Sequence, residues 1–220
     1  MRMVSHNMLN IRNMKPQDLF ILLKKLTYDG KNLPACKIAE ELGMSASAVS
    51  ESLERCKQAQ LVDRNKKRVN ALALQEFLVH GVQYVFPAVP GRVGRGVATY
   101  VSASPIHEQL SNNTDTYVWH YLKGNARGQQ IEPLYPSVPE AALRDSELHE
   151  LLAIVDTLRM GRAREKEIAI AELNKRIQSY TENALEPFVI EDSPSITSIK
   201  RAITAAKVVF PFLRGTYTSA

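Results

Sequence analysis

Apolar residues recur at helical spacing in several stretches of the first eighty residues. Leu19, Phe20, Leu22, Leu23 and Leu26 predict a helix that Pro16, suited to a first turn, opens and Asp29-Gly30 stops. Ala39 is small enough for two helices to cross closely, and Gly43, four residues on, suits the left-handed conformation that ends a helix. Ser45 is placed to cap the next helix, whose Val49, Leu53 and Cys56 fall at i, i+4 and i+7. The opposite face then carries Ser47, Ser50, Glu51, Glu54, Arg55 and Gln58. Leu61-Val62 and Val69 flank a polar run, Asp63-Arg64-Asn65-Lys66-Lys67-Arg68, which reads as two short strands around a basic tip. Asn70 caps a further helix through Leu72, Leu74, Phe77 and Leu78, closed by His80-Gly81.

Beyond residue 81 the pattern changes twice. Residues 82–89, VQYVFPAV, are rich in strand formers, and residues 97–101 and 117–122 also predict strands, with residues 123–128 as a hairpin loop. Helical spacing returns at Ser137-Val138-Pro139-Glu140, a capping-box pattern opening a helix through Leu143. Leu148, Leu151, Leu152, Val155 and Leu158 predict a helix over 146–160 ending at Gly161. Ile168, Ile170, Leu173 and Ile177 predict another over 162–180. The expected architecture is α+β: residues 1–80, then a β-rich region over 81–136, a helical pair over 137–184 and a linker with an apolar tail over 185–220. The tail carries Val208-Val209-Phe210-Pro211-Phe212-Leu213, a run expected to dock on this chain, a second copy or another protein.

Residues 15–70, and within them IAEELGMSASAVSESLERCKQAQLV, resemble the winged helix-turn-helix DNA-binding domains of bacterial transcriptional regulators, MarR-like in the broad sense. The resemblance covers under a third of the chain. It implies a domain that reads double-stranded DNA with its second motif helix in the major groove. In regulators of this kind, paired helices following the motif often form the dimer interface, so the stripes at 148–158 and 168–177 are expected to join a homodimer.

Charge bears on that expectation. Residues 1–70 hold 13 Lys and Arg against 7 Asp and Glu, whereas residues 71–220 hold 15 against 16. The excess of +5 over the whole chain therefore sits with the first seventy residues, and neutralising phosphates with Lys and Arg supplies most sequence-independent affinity for DNA. The candidate DNA contacts are Ser45, Ser47, Ser50 and Arg55 on the helix and Lys66, Lys67 and Arg68 at the tip. Glu51, four residues before Arg55, is expected to pair with it on the helix surface.

Other chemistry is thin. The five histidines lack metal-ligand spacing, and Cys36 and Cys56 both fall in the helix-turn-helix as packing residues, so no metal or cofactor is expected. Gly91-Arg92-Val93-Gly94-Arg95-Gly96 matches neither the phosphate loop nor the dinucleotide fingerprint and reads as a basic turn. Arg92, Arg95, Trp119, His120 and Arg127, with Tyr121 and Tyr135 nearby, form a candidate effector site by stacking and Arg–phosphate pairing. No run reaches membrane-span length and the first ten residues lack a secretory h-region, so the chain is expected to be cytoplasmic. The expectation is a homodimeric repressor, of a toxin–antitoxin or defence operon for example, not an enzyme. The alternatives are a winged-helix protein-interaction module in a larger assembly, or a small-molecule enzyme using the middle region.

Overall fold

In the computed structural model, which describes residues 13–28, 33–110 and 115–185, helix α1 (Pro16–Leu26) lies at the centre. Asp18 accepts from the Lys15 backbone N–H at 2.8 Å and so closes its first turn. Every residue from Asp18 to Leu26 is buried. The predicted one-sided stripe is thus surrounded, because α3 (Ala46–Gln58) packs on α1 and α8 (Ser146–Met160) packs on it as well. Lys24, inside this helix, bridges the two neighbourhoods: its Nζ lies 2.7 Å from Glu41 of α2 (Ala35–Leu42) and 2.7 Å from Asp145, which caps α8.

The turn between α2 and α3 forms as the residues predict. Gly43 is left-handed at φ 63° and ψ 40°, and the Met44 N–H donates to the Ala39 carbonyl at 2.8 Å. Ser45 Oγ accepts from the Ala48 N–H at 3.2 Å, and Val49, Leu53 and Cys56 are buried. After α3, Val62 and Val69 meet in a single antiparallel bridge. The loop between them is tied by Asp63, whose Oδ1 accepts from the N–H groups of Lys67 and Arg68. Val69 N–H donates to the Tyr180 hydroxyl of α9 (Ala163–Leu185) at 3.1 Å. Asn70 caps α4 (Ala71–His80) as expected.

Residues 82–89 are not a strand. Val82–Val85 form a short helix, α5, because the two apolar side chains that reach the core, Val82 and Phe86, are four apart, and helical spacing overrides β propensity. The sheet comprises β1 (Val93–Ala98), β2 (Tyr117–His120) and β3 (Ala126–Ile131). β2 and β3 both run antiparallel to β1 and parallel to each other, closing the three strands on themselves. The hairpin reading of 117–128 is therefore corrected: β3 begins inside the expected loop, and its antiparallel partner is β1. β1 itself starts at Val93 and stops at Ala98, before a 3₁₀ turn (Tyr100–Ser102) in which Tyr100 has φ 55°.

The tight closure accounts for the glycine-rich run. A Cβ on Gly96 would lie 1.9 Å from the Trp119 carbonyl oxygen, and one on Gly128 would lie 2.1 Å from that of Thr116. Alternate positions 94, 96, 98, 126 and 128 are Gly or Ala because they face the narrow inside of the closed strands, and the run is strand rather than turn. The short helix α6 (Ile106–Gln109) precedes β2, and α7 (Val138–Arg144) follows β3. Ser137 does not complete a capping box: its hydroxyl donates instead to the Leu42 carbonyl at the end of α2.

Residues Leu151 to Arg159 of α8 are all buried. Its stripe, and that of α9 at Leu173 and Ile177, is covered within this chain by α1, α4, α5, α7 and the 3₁₀ turn. Ile168 and Ile170, the other two residues of the α9 stripe, are half-buried. One apolar cluster links α1, α3, α4, the sheet, α7, α8 and α9, crossing the expected boundaries at 80 and 136, in a compact unit that extends to Leu185. The apolar tail over 185–220 lies outside the described residues from 186 onward.

Candidate nucleic-acid interface

The outward face of α3 is set by which residues the core takes. Ser47, Ser50, Glu51, Lys57 and Gln58 are exposed, whereas Ser52, Leu53, Arg55 and Cys56 point inward. Ser45 is exposed but is engaged as the helix cap, and its hydroxyl lies 3.1 Å from that of Ser47.

Arg55 is not on that face. It is 5 % exposed and grips the fully buried Asp18 of α1, donating from Nε to Oδ2 at 2.9 Å and from Nη2 to Oδ1 at 2.6 Å. Ser52 Oγ donates to the same carboxylate at 2.6 Å. The fork geometry and low dielectric make this a charge-assisted lock between α1 and α3, and the hydrogen bonds to Asp18 raise the Arg55 pKa. The expected surface pair with Glu51 does not form for this reason. Helix periodicity alone orients Arg55 outward; the competing signal is Asp18, a carboxylate within the apolar first helix that must be satisfied once buried.

At the basic tip, Lys66 is half-buried and its Nζ pairs with Glu54 of α3, a hydrogen bond that lowers the Glu54 pKa. Arg64, Lys67 and Arg68 remain exposed. Lys57, seven residues after Ser50 and so on the same helix face, adds a cation that the sequence reading passed over. With Arg64 and Arg68 it lines a cleft between the end of α3 and the loop. The available face is thus Ser47, Ser50 and Lys57 on the helix with Arg64, Lys67 and Arg68 beside it.

The middle-region candidates divide into two groups. Trp119 is 1 % exposed, and its Nε1–H donates to Asp156 Oδ2 at 2.8 Å, an oxygen that also accepts from Thr99 Oγ1 at 2.8 Å. The other Asp156 oxygen takes Arg159 Nη1 at 2.7 Å. An indole held inside this network cannot stack on a ligand, so Trp119 leaves the candidate effector site. Tyr135 also turns inward, stacked on Phe20 with ring centroids 6.3 Å apart. Arg92, Arg95, His120 and Arg127 are exposed, His120 within hydrogen-bonding distance of Gln130 at 2.9 Å.

Burial first, and the nearby Asp18 second, push the Cys56 thiol up to about 12, which removes thiolate chemistry at neutral pH. Among the described residues no group of His, Cys, Asp and Glu is arranged to hold a metal ion, and no helix is long and apolar enough to cross a membrane. Comparison with known proteins matches the chain to no family model, no curated protein and no solved structure.

Proposed function

We propose that this chain is a DNA-binding transcriptional regulator that reads duplex DNA with the exposed face of α3. The observation that supports it most is the α2–Gly43–α3 unit: a left-handed glycine, a Ser45 cap and a helix whose outward side carries short hydroxyls and a lysine beside an exposed basic loop. Ser47 and Ser50 sit in the first turns, the part of a recognition helix that approaches base edges, and small hydroxyls serve there as donor or acceptor. Lys57, Arg64, Lys67 and Arg68 meet phosphates, which position the protein without carrying sequence. Arg55 has a different task, holding α3 at its angle to α1.

The test begins with selection of bound sequences from a random duplex library by the full chain, followed by anisotropy titrations of the selected and a scrambled duplex. Ser47→Ala with Ser50→Ala should narrow the ratio between the two duplexes, since a good base contact is worth about 1–3 kcal/mol of discrimination. Lys67→Ala with Arg68→Ala should weaken both equally and lower the salt slope by about two. Absence of any enriched sequence would refute the reading. A second reading, a protein-interaction module, draws on the exposed carboxylate of Glu51 in the middle of the same face. Glu51→Gln separates them: it should strengthen binding to both duplexes if the face meets DNA.

A further inference from the structure

The strand register places two arginines side by side. Arg95 of β1 is paired with Arg127 of β3, and Val93 with Gln129. Directly opposed residues of an antiparallel pair project from the same side with Cβ atoms about 5 Å apart, and like charges so placed destabilise the sheet. All four of these residues are exposed. Lys24, Arg55, Lys66, Arg144, Arg159, Lys175 and Arg176 each have a carboxylate in ion-pair contact. Neither Arg95 nor Arg127 has one among the described residues. Residues 77–107 contain no Asp or Glu, nor do residues 116–131, so the strands and their connecting turn carry Arg92, Arg95, Lys123 and Arg127 with no acidic neighbour in sequence. The near-zero charge of residues 71–220 conceals this, because the acidic residues are concentrated in α7 to α9.

We propose that this side of the closed three-stranded sheet is a second nucleic-acid surface, in which Arg95 and Arg127 together grip phosphodiester backbone away from α3. A guanidinium fork matches phosphate bidentately, and two forks side by side on paired strands suit a repeating row of phosphates. An acidic protein partner would call for apolar anchors next to the charges, and among the described residues of the three strands only Val93 is an exposed large apolar side chain. Base stacking is not offered, since the indole is buried. Binding through this surface is therefore sequence-independent and steeply salt-dependent.

The experiment titrates the full chain into a labelled duplex DNA and a duplex RNA of the same sequence at several salt concentrations. Three proteins are compared: the parent, Arg95→Gln/Arg127→Gln and Lys67→Ala/Arg68→Ala. The sheet variant should bind roughly tenfold more weakly than the parent near 0.1 M salt, with a log–log salt slope lower by about two. Its melting temperature should stay equal to the parent's or rise, because an opposed like-charge pair has been removed. The duplex that shows the loss identifies which nucleic acid supplies the phosphates. Loss in the sheet variant with none in the loop variant would support this surface and count against the α3 reading. The reverse would overturn this surface and leave the α3 reading standing. A sheet variant that binds both duplexes like the parent, or that melts lower, overturns the proposal, and a parent that binds neither duplex at low salt overturns both.

Discussion

Arg55→Ala should unfold this protein more readily while leaving the exposed residues of α3 unchanged. Asp18 is fully buried and takes three of its hydrogen bonds from Arg55, with Ser52 and the Lys15 N–H supplying the others. Removing one partner of a buried ion pair costs about 3–5 kcal/mol, because the other charge stays buried. Ser52 and Lys15 still donate to the carboxylate, which places the loss near the lower end, about 3 kcal/mol. For a unit of this size that corresponds to a fall in melting temperature of about 6–12 °C. Lys67→Ala, on the surface, should move it by no more than about 2 °C. Circular dichroism melts measure both, and a double variant, Asp18→Leu/Arg55→Met, should lose less than the sum of the single changes if the two side chains act as a pair. An Arg55→Ala protein that melts within about 2 °C of the parent would refute the inward placement.

Trp119 is the only tryptophan, so fluorescence isolates it: emission should be that of an apolar, shielded indole, poorly quenched by acrylamide and unchanged by nucleotides or duplex DNA. Asp156→Ala, which strands the indole N–H, the Thr99 hydroxyl and Arg159 together, should cost about 3–5 kcal/mol in denaturant unfolding and red-shift that emission. Gly96→Ala should cost about 3 kcal/mol or more, because its Cβ would press on the Trp119 carbonyl, whereas Gly91→Ala, facing only the Gln130 carbonyl at 3.3 Å, should cost far less. Burial opposes ionisation of Glu172, but donors on Lys175, Arg176 and Gln109 outweigh it and hold the carboxyl at about 2, below its ordinary 4.5. Its contribution to stability is therefore present above pH 4.5 and lost as pH falls toward 2. Glu172→Gln should be less stable than the parent at neutral pH and match it near pH 2 in acid titrations of unfolding.

The helices were legible from apolar spacing and from their ends, even where, as in α1 and α8, the helix is buried nearly all round. Gly43, Ser45 and Asn70 located a turn and two caps because each meets a local backbone requirement. Orientation was legible only for apolar residues. Arg55 and Trp119 carry both an apolar body and a polar end, and which end wins depends on a distant carboxylate, Asp18 or Asp156, that no local pattern reveals. The sheet was the least legible part. Its small residues on alternate positions resemble a flexible loop until three strands close on one another, and β2–β3 pairing is parallel across a connection too short for the usual crossover. Arg95 and Arg127 were individually visible as candidates, but the register that sets them face to face was not.

Residues 1–80 read as a domain in their own right, yet the contacts of α1 argue that they do not fold alone. Phe20 stacks on Tyr135, Lys24 pairs with Asp145, the Leu42 carbonyl accepts from Ser137 and the Val69 N–H donates to Tyr180; all four partners lie beyond residue 136 or on its border. A fragment ending at residue 80 would expose the α8-facing side of a helix that is buried on every side in the intact unit, at about 1.5–3 kcal/mol for each large apolar side chain uncovered. Chains of that length have little stability to lose. The fragment should therefore bind a hydrophobic dye and melt without a cooperative transition, while residues 13–185 melt cooperatively and do not bind the dye. A sharp two-state melt for the short fragment would mean that α1 can close its core with α2, α3 and α4 alone. It would also make the α3 face separable from the rest of the chain. Otherwise α3 is held by the same helix that anchors α8, and a change at the sheet or at α9 reaches the exposed face of α3 through packed side chains rather than across a linker.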